Sequence, residues 1–205
     1  GELRSAVTRI GFNLVRSAAI AFAMAQLRRV ESLKDCRESL QENWERSATV
    51  ASYSYVVASR HSGVNPDTAL LAGLLHGVGK LYIIARAAKH PKLFANPASY
   101  HAIERDWHAS IAKALLEAWG ISEDIVSAVQ DFEELQREHD GVPDLTDVLT
   151  VASILATFHE WPDTLELNLQ GVKAAQRMQL NRVTLDKLIL ESDREATLIK
   201  QTLGI

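Results

Sequence analysis

The residues of this chain that could carry chemistry meet in one short motif, Leu74-Leu75-His76-Gly77-Val78-Gly79-Lys80-Leu81. The motif has the framework of a His-Asp doublet at the end of an apolar helix, with glycine where the aspartate would stand. A histidine nitrogen and a carboxylate oxygen can together serve divalent cations, whereas glycine supplies neither a charge nor a ligating side chain. The motif therefore predicts the shape of a dinuclear metal site without its hydrolytic chemistry.

The composition limits the classes of protein to consider. The chain has 205 residues, of which 47% are hydrophobic and 23% charged, and its formal net charge is −4. Such a chain can fold without disulfides or structural metals, and its acidic balance argues against nucleic-acid binding. The single cysteine, Cys36, cannot form an internal disulfide, which fits a reducing compartment. No apolar run approaches the ~20 residues that span a membrane.

Helical periodicity runs through almost the whole sequence, without sustained alternation of polar and apolar residues. Asp35 and Glu38 predict a capping-box start for a long helix, which Gly63 would end in the left-handed conformation. The apolar face of this helix consists of Leu40, Trp44, Ala48, Ala51, Tyr55 and Ala58. Asn65-Pro66-Asp67 then predicts the N-cap and first turn of a central helix that ends at His76.

A further helix is predicted from about Trp107 to Trp119, with Gly120 at its end and Ser122 as the N-cap of the next helix. Its apolar residues share one face, which we expect to be buried: Trp107, Ile111, Ala114, Leu115 and Ala118. We expect Trp107, Trp119 and Trp161 to pack in the core or between lobes instead of binding a ligand.

The last third of the chain is predicted to be helical with one irregular stretch. Residues 133–143 predict a solvated loop, and Asp144 is the predicted N-cap of a strongly periodic helix. The segment 161–182 predicts a long connection with one short helix, and Thr184 begins a closing helix. Because no repeat or linker interrupts these segments, they indicate a single all-α domain, a multi-helix bundle over residues 1–205.

Three segments resemble the HDOD domain (HD-related output domain), a regulatory relative of the HD and HD-GYP phosphohydrolases. They are Trp44-Glu45-Arg46-Ser47, Ala69 to Leu81, and His108 to Ser122. The resemblance implies an HD-like core over 35–205, with 1–34 as the remainder of an N-terminal helical lobe. Since the chain starts at Gly1 without methionine and the preceding helices of the family are missing, we expect a fragment or a processed product.

The departures from the family pattern fall on its metal-site positions. The resemblance implies five former site positions: Arg46, His76, Gly77, His108 and Ser153. Arg46 stands where the family has its first ligand histidine, Gly77 where it has the aspartate of the doublet, and Ser153 where it has a late aspartate. The segment 130–133 also lacks the paired histidines of HD-GYP proteins.

Two neutral imidazoles cannot hold a pair of divalent cations, because each ion needs several ligands and carboxylate charge to offset its desolvation. Arg46 adds a fixed positive charge where a cation would have been. Without metal-activated water, hydrolysis of a phosphodiester loses its nucleophile. No Ser-His-Asp or Cys-His-Asn arrangement can be recognised either. We therefore expect no catalytic residue, no bound metal and no cofactor.

Several of these side chains permit a second interpretation. His76 fits a hydrogen-bonded core histidine as well as a ligand, and His108 fits a former ligand or a polar neighbour of a helix start. Lys80 fits a phosphate contact or the partner of a carboxylate. Together, Arg46, His76 and Lys80 could hold a small anion or a nucleotide in the former metal pocket.

The resemblance implies a bacterial, cytoplasmic signal-transduction module that acts through protein–protein contacts and is not an enzyme. Its partners would be signalling proteins, and neither nucleic acid nor membrane. Two alternatives concern the former metal cleft: binding of a nucleotide or phosphorylated ligand, and residual phosphohydrolase activity. A structural role as a homodimer is a further alternative.

Overall fold

The computed structural model describes residues 19, 23, 31–90, 92 and 96–203, without the side chains of 31, 32, 196 and 199–203. These residues form a 3-10 helix, Glu31–Cys36, and nine α-helices, with no strand among them. The helices are α1 (Arg37–His61), α2 (Pro66–Leu75), α3 (Val78–Ala87), α4 (Pro97–Ala118), α5 (Glu123–Asp131), α6 (Leu145–Phe158), α7 (Pro162–Gln170), α8 (Lys173–Arg177) and α9 (Arg182–Leu203). The prediction of an all-α bundle is confirmed, whereas the predicted N-terminal lobe, 1–34, lies almost entirely outside the described residues.

Helix α1 forms the axis of the core. It packs against α2, α6 and α9, and its side chains Trp44 and Tyr53 are among the largest that are fully buried. Each such side chain stabilises the fold by about 1.5–3 kcal/mol relative to exposure in water. Helix α2 is buried from Ala69 to Leu75, as its continuous apolar sequence predicts. Two of the former metal-site positions, Arg46 on α1 and His76 at the end of α2, are therefore attached to core helices.

Local capping signals account for several of the helix ends. The side chain of Asn65 accepts a hydrogen bond from the backbone N–H of Thr68 at 3.0 Å, and Pro66 opens α2. Gly120 has φ +64°, the left-handed conformation predicted after α4. Asp144 and Asp147 form a reciprocal capping box at the start of α6. Because these signals lie within a few residues of each end, the sequence alone predicts them.

Three predicted helix ends are wrong in detail. The N-cap of α1 is Cys36, without a side-chain cap, so the predicted capping box at Asp35 does not form. Helix α1 ends through Ser62 in an extended conformation, and Gly63 does not have a positive φ. The last helix begins at Arg182, where the side chain of Asn181 accepts a hydrogen bond from the Thr184 backbone at 3.1 Å.

The predicted arrangement of 161–182 is also wrong, because two helices, α7 and α8, replace the long connection. The predicted burial of the tryptophans is wrong as well: Trp107, Trp119 and Trp161 are 59%, 51% and 57% exposed. Helix α4 begins at Pro97, earlier than predicted, and buries a different face, made of His108, Ala112 and Leu116. This face is covered because α3 and α5 pack against α4.

Two glycines let helices approach each other closely. A Cβ at Gly73 would lie 2.4 Å from Cα of Ala51, so α2 lies directly on α1 at this point. A Cβ at Gly79 would lie 1.9 Å from the carbonyl oxygen of His108, so α3 lies directly on the backbone of α4. These contacts fix the segment that includes His76 between α1 and α4.

One stretch of the described residues, Pro66–Ala87, is long and apolar enough to cross a membrane by length and composition. However, 78% of its most apolar window is buried inside the fold. The core helices of many folded domains pass the same test, and this stretch comprises α2 and α3 of the core.

Candidate functional site

The former metal-site positions converge where α1, α4 and α6 meet the junction between α2 and α3. Arg46 lies on α1, His76 and Gly77 lie at the junction, His108 lies on α4, and Ser153 lies on α6. Helix α1 packs against α6, and Gly79 of α3 lies on the backbone of α4. Of the five positions, Arg46 and Ser153 are in direct contact with each other.

His76 ends α2 as a buried side chain, with only 6% of its surface exposed. Its Nδ1 lies 2.7 Å from the carbonyl oxygen of Gly73. Because a carbonyl only accepts, Nδ1 must donate the proton, and Nε2 then carries the lone pair. The ring also packs edge-on against Phe132, with 5.6 Å between centroids and an interplanar angle of 89°. These contacts are those of a hydrogen-bonded core histidine.

The pKa of His76 is lowered to about 4, mainly by burial and to a smaller degree by the positive charges of Arg46 and Lys80. The hydrogen bond to Gly73 and the carboxylate of Glu133 act in the opposite direction. The balance is dominated by desolvation, since a buried imidazolium loses its hydration. The ring is therefore neutral at physiological pH.

This pKa predicts a loss of stability in mild acid. Between pH 6.5 and about 4 the unfolded chain binds a proton at His76 that the folded chain does not, so the free energy of unfolding falls as the pH falls. The loss amounts to about 3 kcal/mol across that window. Urea unfolding between pH 4 and 8 measures it. In His76→Gln this part of the pH dependence should disappear. His101→Gln, at an exposed position, should retain it. Identical pH profiles of the wild type and the two variants would contradict the prediction.

Arg46 connects α1 to α6. Its Nη2 donates hydrogen bonds to Ser153 Oγ at 3.3 Å and to Thr157 Oγ1 at 3.0 Å. Burial lowers the pKa of the Arg46 guanidinium, and the carboxylate of Glu133 opposes this effect. Since both acceptors are neutral hydroxyls, these two contacts orient the guanidinium without cancelling its charge. Two positions that the sequence analysis treated separately, Arg46 and Ser153, are therefore direct partners.

Gly77 lies against α1, where two polar side chains occupy the space around its Cα. A Cβ at Gly77 would lie 2.6 Å from Ser47 Oγ and 3.0 Å from Asn43 Oδ1. Asn43 also donates a hydrogen bond from Nδ2 to the Gly77 carbonyl at 3.2 Å, and Ser47 Oγ donates to the Asn43 carbonyl at 2.9 Å. The place of the missing carboxylate is thus filled by neighbouring side chains.

His108 pairs with a carboxylate that sequence reasoning passed over. It lies in the interior of α4 and is buried, so its interpretation as a neighbour of a helix start is wrong. Its Nε2 donates to Glu133 Oε2 at 3.1 Å, and this hydrogen bond lowers the pKa of Glu133. The positive charges of Lys80 and of protonated His76 would lower it further. In the sequence, Glu133 reads as the start of a solvated loop. The only sign of another role is that it directly follows an amphipathic helix.

Lys80 forms an ion pair with Glu104, at 3.4 Å between Nζ and Oε1. Lys80 and Arg46 both line a cleft of about 290 Å³ between α1, α3 and α4. His76 is absent from the residues that line this cleft, because its ring is buried behind them. Of the three residues considered for an anion site, the structure thus places two on the same cleft and one behind it.

Comparisons with known proteins establish the family and the fold of the chain. The family model of the HDOD domain matches residues 1–135. The chain belongs to the HDOD family. No curated protein matches it significantly. A solved structure from Shewanella amazonensis SB2B, provisionally named a metal-dependent phosphohydrolase, superposes on this HDOD chain with a TM-score of 0.66 and 24% identity. The superposition covers 94% of this chain and 71% of the other, and at that identity it establishes a shared fold.

A second polar cluster of this HDOD chain lies just beyond the matched residues. Among the described residues, only His139, Asp144 and Asp147 form a group of three metal-type ligands whose atoms lie within 4.8 Å of one another. Arg177 Nη1 lies 2.6 Å from Asp147 Oδ1, and Arg137 Nη2 lies 2.6 Å from Asp144 Oδ2. Two guanidinium groups therefore already neutralise the two carboxylates. The cluster is an ion-pair network at the start of α6, within and after a segment that the sequence predicted to be a solvated loop.

Proposed function

We propose that this HDOD domain is a non-catalytic regulatory module of bacterial, cytoplasmic signal transduction that acts through contacts with other proteins. The supporting observation is that the former ligand positions are bonded to the protein itself. Arg46 is held by hydroxyl groups of α6, His76 by the Gly73 carbonyl, and His108 by Glu133. The bonds of Arg46 connect α1 to α6, and the bond of His108 connects α4 to the segment after α5, so these positions act as a structural brace.

The residues at this place do not fit a pair of divalent cations. The imidazoles of His76 and His108 and the carboxylate of Glu133 are the candidate donors, and Glu133 is already hydrogen-bonded to His108. Within the described ranges, these three do not form a group with ligand atoms inside 4.8 Å. In addition, the positive charge of Arg46 acts on His76 and lowers its pKa. Two cations would require more carboxylate ligands and less positive charge.

The exposed aromatic residues of α4 support contact with a partner protein. Trp107 lies on α4 and Trp119 directly after it, and more than half of each side chain is exposed. Tryptophan is enriched at protein interfaces and at the residues that dominate their binding energy. Ala114 and Ala118 on the same helix are also exposed and add apolar surface near the two rings.

The proposal predicts that the purified protein neither holds metal nor hydrolyses phosphodiesters. After incubation with Mn²⁺, Fe²⁺ or Mg²⁺ and desalting, elemental analysis should find well under one metal ion per chain. Turnover of bis-p-nitrophenyl phosphate or of a cyclic dinucleotide should equal the blank, whereas an intact HD phosphohydrolase serves as the positive control. Stoichiometric metal together with turnover would refute the non-catalytic assignment.

The same proposal places partner contact on α4. In cells that produce the protein, the double variant Trp107→Ser/Trp119→Ser should lose its co-purifying signalling partner by tenfold or more, as expected when interface tryptophans are removed. Trp161→Ser is the matched control, since Trp161 is equally exposed and lies outside α4. Equal recovery of the partner with the double variant and with the control would exclude this surface.

A further inference from the structure

The cleft between α1, α3 and α4 shares Arg46 with the former metal site and is lined by charged side chains of both signs. Its polar lining comes from three helices and includes Glu42, Asn43, Arg46, Lys80, Tyr100 and Glu104. Its volume of about 290 Å³ lies at the lower end of the range for small-molecule sites. A ligand of metabolite size would therefore fill it.

Arg46 brings an oriented positive charge to this cleft. Its hydrogen bonds go from Nη2 to Ser153 and Thr157, and no carboxylate of the described residues lies within 4.0 Å of its guanidinium. Nε and Nη1 make no hydrogen bond to the described part of the protein. A guanidinium that is held in place but not neutralised is well suited to a carboxylate or a phosphate ester.

Glu42 brings a negative charge to the same cleft. It lies one helical turn before Arg46, but the two side chains do not form an ion pair within 4.0 Å, and Glu42 is exposed. The other charges of the lining, Lys80 and Glu104, are paired with each other at 3.4 Å. His101, which also lines the cleft, lies 3.9 Å from the same Glu104. Arg46 and Glu42, on neighbouring turns of α1, are thus the charged residues of the lining without an ion pair within 4.0 Å in the described part of the chain, although the carboxylate of Glu133 acts on Arg46 from outside the lining.

We propose that this cleft binds a small zwitterion, with its carboxylate or phosphate ester on Arg46 and its amino group on Glu42. Positions i and i+4 of a helix are about 5–6 Å apart at Cβ, which suits a ligand with three or four atoms between its charges. A simple anion satisfies Arg46 but lies near Glu42, and so loses part of its binding energy. This binding goes beyond the proposed regulatory function and does not depend on the absence of catalysis.

Thermal unfolding with four probes tests the proposal. γ-Aminobutyrate and phosphoethanolamine are zwitterions with a carboxylate and a phosphate, and butyrate and inorganic phosphate are their counterparts without an amine. At about ten times its dissociation constant, a zwitterion should raise the midpoint by about 3–5 °C. Butyrate and phosphate at the same concentrations should give clearly smaller shifts. The larger of the two zwitterion shifts identifies the anionic group that Arg46 prefers.

Two variants test where the probes bind. For each variant the unfolding midpoint with the probe is compared with its midpoint without the probe, so a change in the stability of the variant itself does not affect the result. Glu42→Gln should make the shift with γ-aminobutyrate equal to that with butyrate, and Arg46→Met should abolish both. Glu38→Gln, at an exposed position of the same helix but outside the cleft, should behave as the wild type. The proposal is overturned if neither zwitterion shifts the midpoint, if phosphate or butyrate acts as strongly as its zwitterion, or if both variants keep the full shift.

Discussion

Replacing Gly79 with alanine is expected to destabilise the fold by about 3 kcal/mol, near the upper end of overpacking effects. The new Cβ would lie 1.9 Å from the carbonyl oxygen and 2.8 Å from the carbonyl carbon of His108. Both atoms belong to the backbone of α4, so no side-chain rotation relieves the contact, and α3 must move away from α4. The better helix propensity of alanine offsets only about 1 kcal/mol. Urea unfolding of the purified variant measures the difference.

Gly63→Ala is the matched control for Gly79→Ala. A Cβ at Gly63 meets nothing within 4 Å, and its φ is not positive, so its stability should change by less than about 1 kcal/mol. Equal stability of both alanine variants would show that α3 and α4 are separated more widely than described. The same displacement should loosen His108 from Glu133, because the His108 backbone is the surface on which Gly79 rests.

Replacing Asp147 with alanine is expected to cost about 3 kcal/mol. Its side chain is 3% exposed and accepts from Arg177 at 2.6 Å and from His139 at 2.8 Å. Its removal leaves the Arg177 guanidinium, only 14% exposed, without its closest carboxylate. Loss of one partner of a buried ion pair typically costs about 3–5 kcal/mol. The backbone N–H of Asp144 also loses its capping-box acceptor at 3.1 Å.

Two further variants separate the causes of this effect. Asp147→Asn keeps a side chain of the same shape with one acceptor oxygen but removes the charge. The loss of unfolding free energy that it shares with Asp147→Ala is therefore electrostatic. Asp163→Ala removes a carboxylate that is paired with Arg182 at 3.0 Å but is 98% exposed, and it should cost less than about 1 kcal/mol. Chemical denaturation of all three proteins provides the comparison. A loss below 1 kcal/mol in Asp147→Ala would mean that solvent screens the network.

The elements predicted well from the sequence are those whose signals are local. Asn65 before a proline, Gly120 after an apolar helix and Asp144 before another all cap the ends that they predict. Each signal acts through a hydrogen bond or a backbone conformation within four residues. The family resemblance likewise depends on contiguous motifs and is confirmed by the match over residues 1–135.

The burial of α4 could not be predicted in the same way. Its sequence has two apolar faces, one with Trp107, Ala114 and Ala118 and one with Ala112 and Leu116. Helical periodicity tells which residues share a face but not which face another helix covers. Because Trp107 is the largest apolar side chain, the sequence favoured burial of the first face. In the structure α3 and α5 cover the second face.

The partners of the site residues also depend on tertiary structure. Arg46 and Ser153 are 107 positions apart in the sequence, and His108 and Glu133 are 25 positions apart. Nothing in the spacing of single residues reveals such pairs. The resemblance located Arg46 and Ser153 in one region through the family pattern, whereas the segment 130–133 was noted only for its lack of paired histidines, and Glu133 was therefore missed.

The packing around Gly77 has a consequence for any side chain placed at this junction. Asn43 and Ser47 occupy the volume beside this glycine, and the carbonyl of Gly77 accepts a hydrogen bond from Asn43. An aspartate at position 77 would therefore meet these two side chains before it could offer a carboxylate to an ion, and both would have to rotate away to make room. Two residues of α1 thus decide, together with position 77 itself, whether an acidic group fits at this point of the fold.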